Sequence, residues 1–132
     1  MTESTQMSDH PFDVIVFGAT SFVGQILCDY LFRRHGADGD LKWAMAGRSK
    51  TKLESVRASL GEGASGIELI TADAADENAL HEMCRKSRVV ISTVGPYSLY
   101  GSVLVKVCVD TGTDYVDLAG ETHWILRMLQ EH

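Results

Sequence analysis

The stretch VIVFGATSFVG, residues 14–24, limits how this chain can fold more than any other. A β-branched apolar run stops at Gly18, a second glycine follows at Gly24, and Ile26, Leu27, Tyr30 and Leu31 then recur at helical spacing. A short unbroken apolar run predicts a strand buried on both faces, which is the strand of a parallel sheet rather than of a half-solvated one. A strand, a tight glycine turn and a helix in that order begin a βαβ unit. Such a turn either holds a nucleotide or only reverses the chain, and the loop alone leaves both open.

The cycle repeats along the chain. Apolar runs at 13–17, 41–46, 67–72, 88–94 and 115–119 predict five strands. Between them lie helical patterns. Phe22, Val23, Ile26, Leu27, Tyr30 and Leu31 follow a cap at Thr20 or Ser21 and end at Gly36. Ser49 caps a helix with Leu53, Val56 and Leu60, stopped by Gly61, and Asp76 caps one with Leu80, Met83 and Cys84. A helix from about 99 to 110 carries Val103, Leu104, Val107 and Cys108 and ends at Gly112. Trp124, Ile125, Met128 and Leu129 begin another. Strict alternation of strand and helix implies an α/β fold, a doubly wound parallel sheet in the order 3-2-1-4-5. The expected domain covers 12–132, after a disordered lead-in over 1–11. The pattern stops where a sixth strand would follow, so the domain is expected to be truncated before further strands.

Composition excludes several function classes. The net charge of −6 on 132 residues argues against a nucleic-acid partner, which needs a basic surface. Cys28, Cys84 and Cys108 are odd in number, far apart in sequence and never in a C-x-x-C pair. Neither a metal site nor a disulfide framework is expected; they read as buried free thiols in a reducing compartment. No run is long enough for a transmembrane segment, and MTESTQMSDHP lacks a signal peptide's apolar stretch, so a cytoplasmic location is expected.

In a doubly wound sheet the ligand sits beyond the strands' carboxyl ends, where strand order reverses. The loops GATSFVG and VGPYSLYG face that crevice. In the first, Gly18 permits the turn, Gly24 lets helix and sheet approach, and the amides of about Thr20 to Val23 can hold a pyrophosphate at the helix N-terminus. Gly18, Ala19, Thr20, Ser21, Phe22, Val23 and Gly24 are therefore candidate cofactor-binding residues, with the Thr20 and Ser21 hydroxyls as further donors. The second strand ends in AGRSKTK, without the acid that holds a ribose 2′-hydroxyl in NAD sites. Arg48 suits a 2′-phosphate instead, helped by Ser49 and Lys52, which makes NADP the expected cofactor. Asp73 and Ala74 stand beside the adenine, and Thr93, Val94, Gly95 and Pro96 beside the nicotinamide ribose. Tyr97 and Tyr100 either wall the crevice or pack.

From Asp13 to Glu121 the chain resembles the NADP-binding domain of the saccharopine dehydrogenase-like oxidoreductases, a family that includes the mycobacterial trans-acting enoyl reductases. DVIVFGATSFVG and AGRSKTKL carry part of the resemblance, and VISTVGPYSLYGSVLVKVCVDTGTDYVDLAGE carries the specific part. The resemblance implies a Rossmann domain and hydride transfer between NADP(H) and a small organic or lipid-like substrate, with the substrate held by a second, C-terminal domain absent from this chain. It leaves room for a homodimer formed through that domain. A non-catalytic NADP-sensing module, or a partner-binding one, stays open beside it. A short-chain dehydrogenase is a competing reading that lacks its Tyr-x-x-x-Lys pair in this sequence, since Tyr30, Tyr97, Tyr100 and Tyr115 are followed four residues on by Arg34, Gly101, Leu104 and Ala119. No catalytic residue is assigned. His10, His35, His81, His123 and His132 are scattered, and Glu121 either orients a substrate or, the preferred reading, caps the following helix.

Overall fold

The computed structural model describes residues 10–132. Most of the expected lead-in, residues 1–9, lies outside the described residues; the first strand begins at Phe12.

Five parallel strands form one sheet. β1 (Phe12–Phe17) is central, flanked by β2 (Trp43–Gly47) and β4 (Ser87–Ser92), with β3 (Glu68–Thr71) and β5 (Asp114–Asp117) at the edges. The order β3-β2-β1-β4-β5 is the expected one. The strands shift by a residue or more at several of their ends, for local reasons. Trp43 opens β2 by donating its indole N–H to the Gly36 carbonyl at 3.0 Å. β5 stops at Asp117, whose carboxylate accepts from the Ala119 amide at 2.9 Å and turns the chain.

The helix caps fall on the expected residues. Ser21 caps α1 (Phe22–His35) by accepting from Gly24 N at 3.0 Å, and Ser49 caps α2 (Lys50–Leu60) by accepting from Lys52 N at 3.2 Å. Asp76 caps α3 (Glu77–Cys84) through the Ala79 amide at 3.1 Å. The helix expected from about 99 to 110 is instead two pieces, α4 (Tyr97–Tyr100) and α5 (Ser102–Thr111). They meet at Gly101, where a side chain would stand 2.8 Å from the Trp124 ring; the indole of α6 (Thr122–Glu131) occupies that space.

Alternation along the strands sorts the core into two layers. Ile15, Phe17, Ala46 and Val90 pack under α3 and α5. Val16, Trp43 and Met45 pack under α1 and α2, against Cys28, Leu31, Leu53 and Val56. In α1 the spacing of apolar residues misleads. Phe22, Val23, Ile26 and Tyr30 are exposed, and the buried face is Gly24, Cys28 and Leu31. Contact at Gly24 fixes which face meets the sheet, and that face need not be the greasiest.

Two further features stand out. Cys84 and Cys108, distant in sequence, meet between α3 and α5 with their sulfurs 3.7 Å apart. On the α1–α2 side, the register aligns Val16, Ile91 and Val116 in one row. Val116 on the edge strand is 49% exposed there, and Leu118 just beyond it is exposed too. Among the described residues, the α1–α2 layer therefore leaves the β5 end of this face bare.

Candidate functional site

The strand order reverses between β1 and β4. Phe17 pairs with Ser92 at their ends, and the Thr93 amide still donates to the Phe17 carbonyl at 2.9 Å. Beyond that point the two loops part and open a cleft of about 330 Å³. Its size is within the range of small-molecule sites.

The first loop is held from within. Gly18 adopts φ +91°, and its amide donates to Ala46 O at 2.9 Å, tying the loop to β2. Its carbonyl accepts from the hydroxyls of Ser21 and Thr93, both at 2.8 Å, and from the Ser21 amide at 3.0 Å. The Ser21 hydroxyl, expected to donate outward, is thus committed to the loop. Ala19 is fully buried and its amide is spent on Ala46 O, while the Gly24 amide is spent on Ser21. Among the described residues no acceptor faces the amides of Thr20, Phe22 and Val23. Unpaired amides at the start of a 14-residue helix, with its dipole behind them, form a site for an anion.

The rest of the cleft follows the strand ends. Of the residues singled out by sequence, Gly18, Thr20 and Ser21 line it from the first loop, Arg48 from the end of β2, and Asp73 and Ala74 from beyond β3. Thr93, Val94 and Gly95 line it from beyond β4. Ser49 is half-buried as a cap, and Lys52 and Pro96 are exposed; none of these three lines the cleft. Ala19, Phe22, Val23 and Gly24 do not line it either, although the Phe22 and Val23 amides open the helix that follows the lining residues Thr20 and Ser21. Phe17, Gly47, Ala72 and Ala75 also line the cleft and escaped the sequence reading, being apolar or small residues at strand ends with no chemistry to mark them. Tyr100 lines it, whereas Tyr97 is buried packing. No carboxylate stands at the end of β2, and Asp73 spends one oxygen on the Ala75 amide at 2.8 Å.

At the other end of the cleft the α4 segment is anchored from the loop after β5. The Glu121 carboxylate accepts from the amides of Tyr97 at 2.6 Å and Ser98 at 2.9 Å. The expectation that it caps the helix after it is corrected. Glu121 occupies the cap position of α6 but makes no side-chain bond to it, and serves α4 instead. The Ser98 and Tyr97 amides hold its carboxyl below the usual glutamate range. Burial pushes the Tyr97 phenol up.

The chain is similar to known proteins. The model of the saccharopine dehydrogenase NADP binding domain matches residues 14–131. This chain belongs to that family. A trans-acting enoyl reductase of Mycobacterium leprae is 40% identical over 121 residues, 92% of this chain and 28% of that protein. A lipid droplet localized protein of Caenorhabditis elegans is 42% identical over 125 residues, 92% of this chain and 29% of that protein. The chain thus spans less than a third of these relatives. Apo saccharopine dehydrogenase of Saccharomyces cerevisiae superposes with TM-score 0.63 at 24% identity, over 86% of this chain and 24% of that one. A short-chain dehydrogenase/reductase of Veillonella parvula in complex with NADP gives 0.62 at 15% identity, over 85% of this chain and 50% of that one. These two structures share the fold. The family is one of NADP-binding domains of oxidoreductases, and NADP is its coenzyme. No helix among the described residues is long and apolar enough to cross a membrane.

Proposed function

We propose that this domain is the coenzyme half of an oxidoreductase that moves hydride between NADP(H) and a small organic or lipid-like substrate. The observation that carries the reading is the set of unpaired amides of Thr20, Phe22 and Val23 at the crossover, with Arg48 on the same cleft. The three amides fit a diphosphate, which needs donors and a positive dipole end. The Arg48 fork fits the 2′-phosphate, with the free proton of the Ser49 hydroxyl beside it and the Lys52 charge farther out. Asp73 and Ala74 edge the adenine, and Thr93, Val94, Gly95 and Pro96 edge the nicotinamide ribose. When bound, the nicotinamide supplies the hydride chemistry.

The name of the M. leprae relative supports a carbon–carbon double bond as the reducible group and, with it, a lipid-like substrate. Among the described residues, the titratable side chains on the cleft are Arg48, Asp73 and Tyr100. A proton donor for the reduction is then expected from a second, substrate-binding domain, as is any homodimer contact. The exposed apolar end of the β5 face suits docking by that domain. The buried free thiols suit a reducing, cytoplasmic location. The same scarcity of proton carriers favours the second reading, a non-catalytic module that senses NADP(H).

Titration with NADPH, followed by coenzyme fluorescence, tests the proposal: saturable binding tighter than that of NADH is expected. An empty cleft at millimolar NADPH overturns it. Turnover of enoyl substrates by a full-length protein carrying this domain separates the enzyme from the sensor.

A further inference from the structure

We infer that Glu121 is a positioning residue for the nicotinamide end of the coenzyme cleft, acting through the α4 segment it holds. This rests on the coenzyme reading above. Both carboxylate oxygens are engaged, one by the Tyr97 amide at 2.6 Å and the other by the Ser98 amide at 2.9 Å. Those amides open α4 and have no partner within it, so without Glu121 they turn to water. The same segment is tied to β4, to the loop after β5 and to α6 at other points. The Tyr97 phenol donates to the Ser92 carbonyl at 3.0 Å and accepts from the Leu118 amide at 3.3 Å. Its ring stacks on Trp124 with centroids 5.5 Å apart, and the Trp124 indole donates to the Ser102 hydroxyl at 3.0 Å.

What this clamp holds is one wall of the cleft. Gly95 precedes the clamped residues and Tyr100 follows them, and both line the cleft. The opposite end is built from the loops after β2 and β3, with Gly47, Arg48, Asp73 and Ala74. None of those residues touches Glu121 by hydrogen bond. Releasing the clamp therefore loosens the end where the nicotinamide lies and leaves the adenosine end as it was. Glu121 is only half-buried and removing its side chain empties no core space. The effect is on placement of the wall, through ordering that the coenzyme would otherwise have to supply.

The test compares two ligands on the full chain: NADPH, which spans the cleft, and adenosine 2′,5′-bisphosphate, which reaches only the adenosine end. Glu121→Ala is expected to weaken NADPH binding by about tenfold, with the bisphosphate affinity unchanged. Hydrogen exchange at the Tyr97 and Ser98 amides should quicken in the same variant. Glu121→Gln keeps one acceptor oxygen and should fall between it and wild type. Equal losses for both ligands overturn the inference, because Glu121 then supports only the fold. Unchanged NADPH affinity in Glu121→Ala overturns it as well. Failure of the wild-type chain to bind the bisphosphate overturns the coenzyme reading itself, and this inference with it.

Discussion

Gly24 rests against the carbonyl oxygen of Gly18, leaving no room for a side chain between helix α1 and the loop that precedes it. The contact is what lets the helix start directly above the crossover, with its free amides over the cleft. Gly24→Ala must push the helix off the loop, because the obstructing atom is backbone. We expect a loss of about 1–3 kcal/mol in the urea unfolding free energy and loss of NADPH binding. Gly120→Ala, whose added methyl meets nothing within 4 Å, should stay within about 0.5 kcal/mol of wild type.

Among the described residues, Arg48 is the only cation on the cleft. Arg48→Ala should weaken NADPH by about 1–3 kcal/mol, the worth of a charge-assisted hydrogen bond, and leave NADH nearly unaffected. Paired titrations of the two coenzymes measure this. Equal losses would place the arginine elsewhere than at the 2′-phosphate.

The layout of sheet and cleft was legible because β-branched runs and glycine turns are local signals. DVIVF, RVVIS and the caps at Ser21, Ser49 and Asp76 announce themselves within a few residues. What stayed hidden depends on contacts between distant residues. The space at Gly101 is filled by Trp124, the pairing of Cys84 with Cys108 comes from the packing of α3 on α5, and the partner of Glu121 from the fold of α4. The buried face of α1 is not marked by its apolar residues, because Gly24, the residue that sets it, adds nothing to an apolar count. Gly47 and Ala72 at the cleft escaped for the same reason.

The thiols should be inert in the native state. Burial pushes the Cys28 thiol up to about 12, so roughly one molecule in ten thousand carries the thiolate at pH 8. Cys84 and Cys108 are shielded as fully; the contact between them, then burial, raises Cys108, while the same contact lowers Cys84, whose inertness therefore rests on its shielding alone. Iodoacetamide labelling at pH 8 should therefore follow global unfolding, with all three cysteines reacting together once urea opens the chain. Rapid labelling of any one in native buffer would contradict the packing of α1, α3 and α5.

Val116 offers a contrast between this chain and a longer protein that carries the same domain. At 49% exposure it contributes little here, and Val116→Lys should change the unfolding midpoint of this chain only slightly. In a full-length protein whose second domain covers that face, the same lysine would be buried without a partner. Loss of at least about 2 kcal/mol of domain-docking stability is expected there, measured by thermal unfolding. Equal tolerance in both settings would mean the face stays bare.

The clamp of Glu121 on Tyr97 and Ser98 also carries a pH signature. Its carboxyl titrates below the ordinary glutamate value of 4.5 because the Ser98 amide, then the Tyr97 amide, bonds the charged form. The unfolded chain therefore takes up this proton first as the solution is acidified, and stability falls with it. The contribution is whole above the unfolded value and is lost as pH falls through the lower folded value. The phenol of Tyr97 faces the same region, but burial raises it, so it stays protonated throughout this window. Glu121→Gln removes the titration and leaves the rest of the chain's carboxylates in place. Urea midpoints of wild type and variant should differ by a constant amount from neutral pH down to the ordinary glutamate value. Below it the two curves should converge, and a gap that persisted into strong acid would show that the carboxylate charge does not hold the α4 segment.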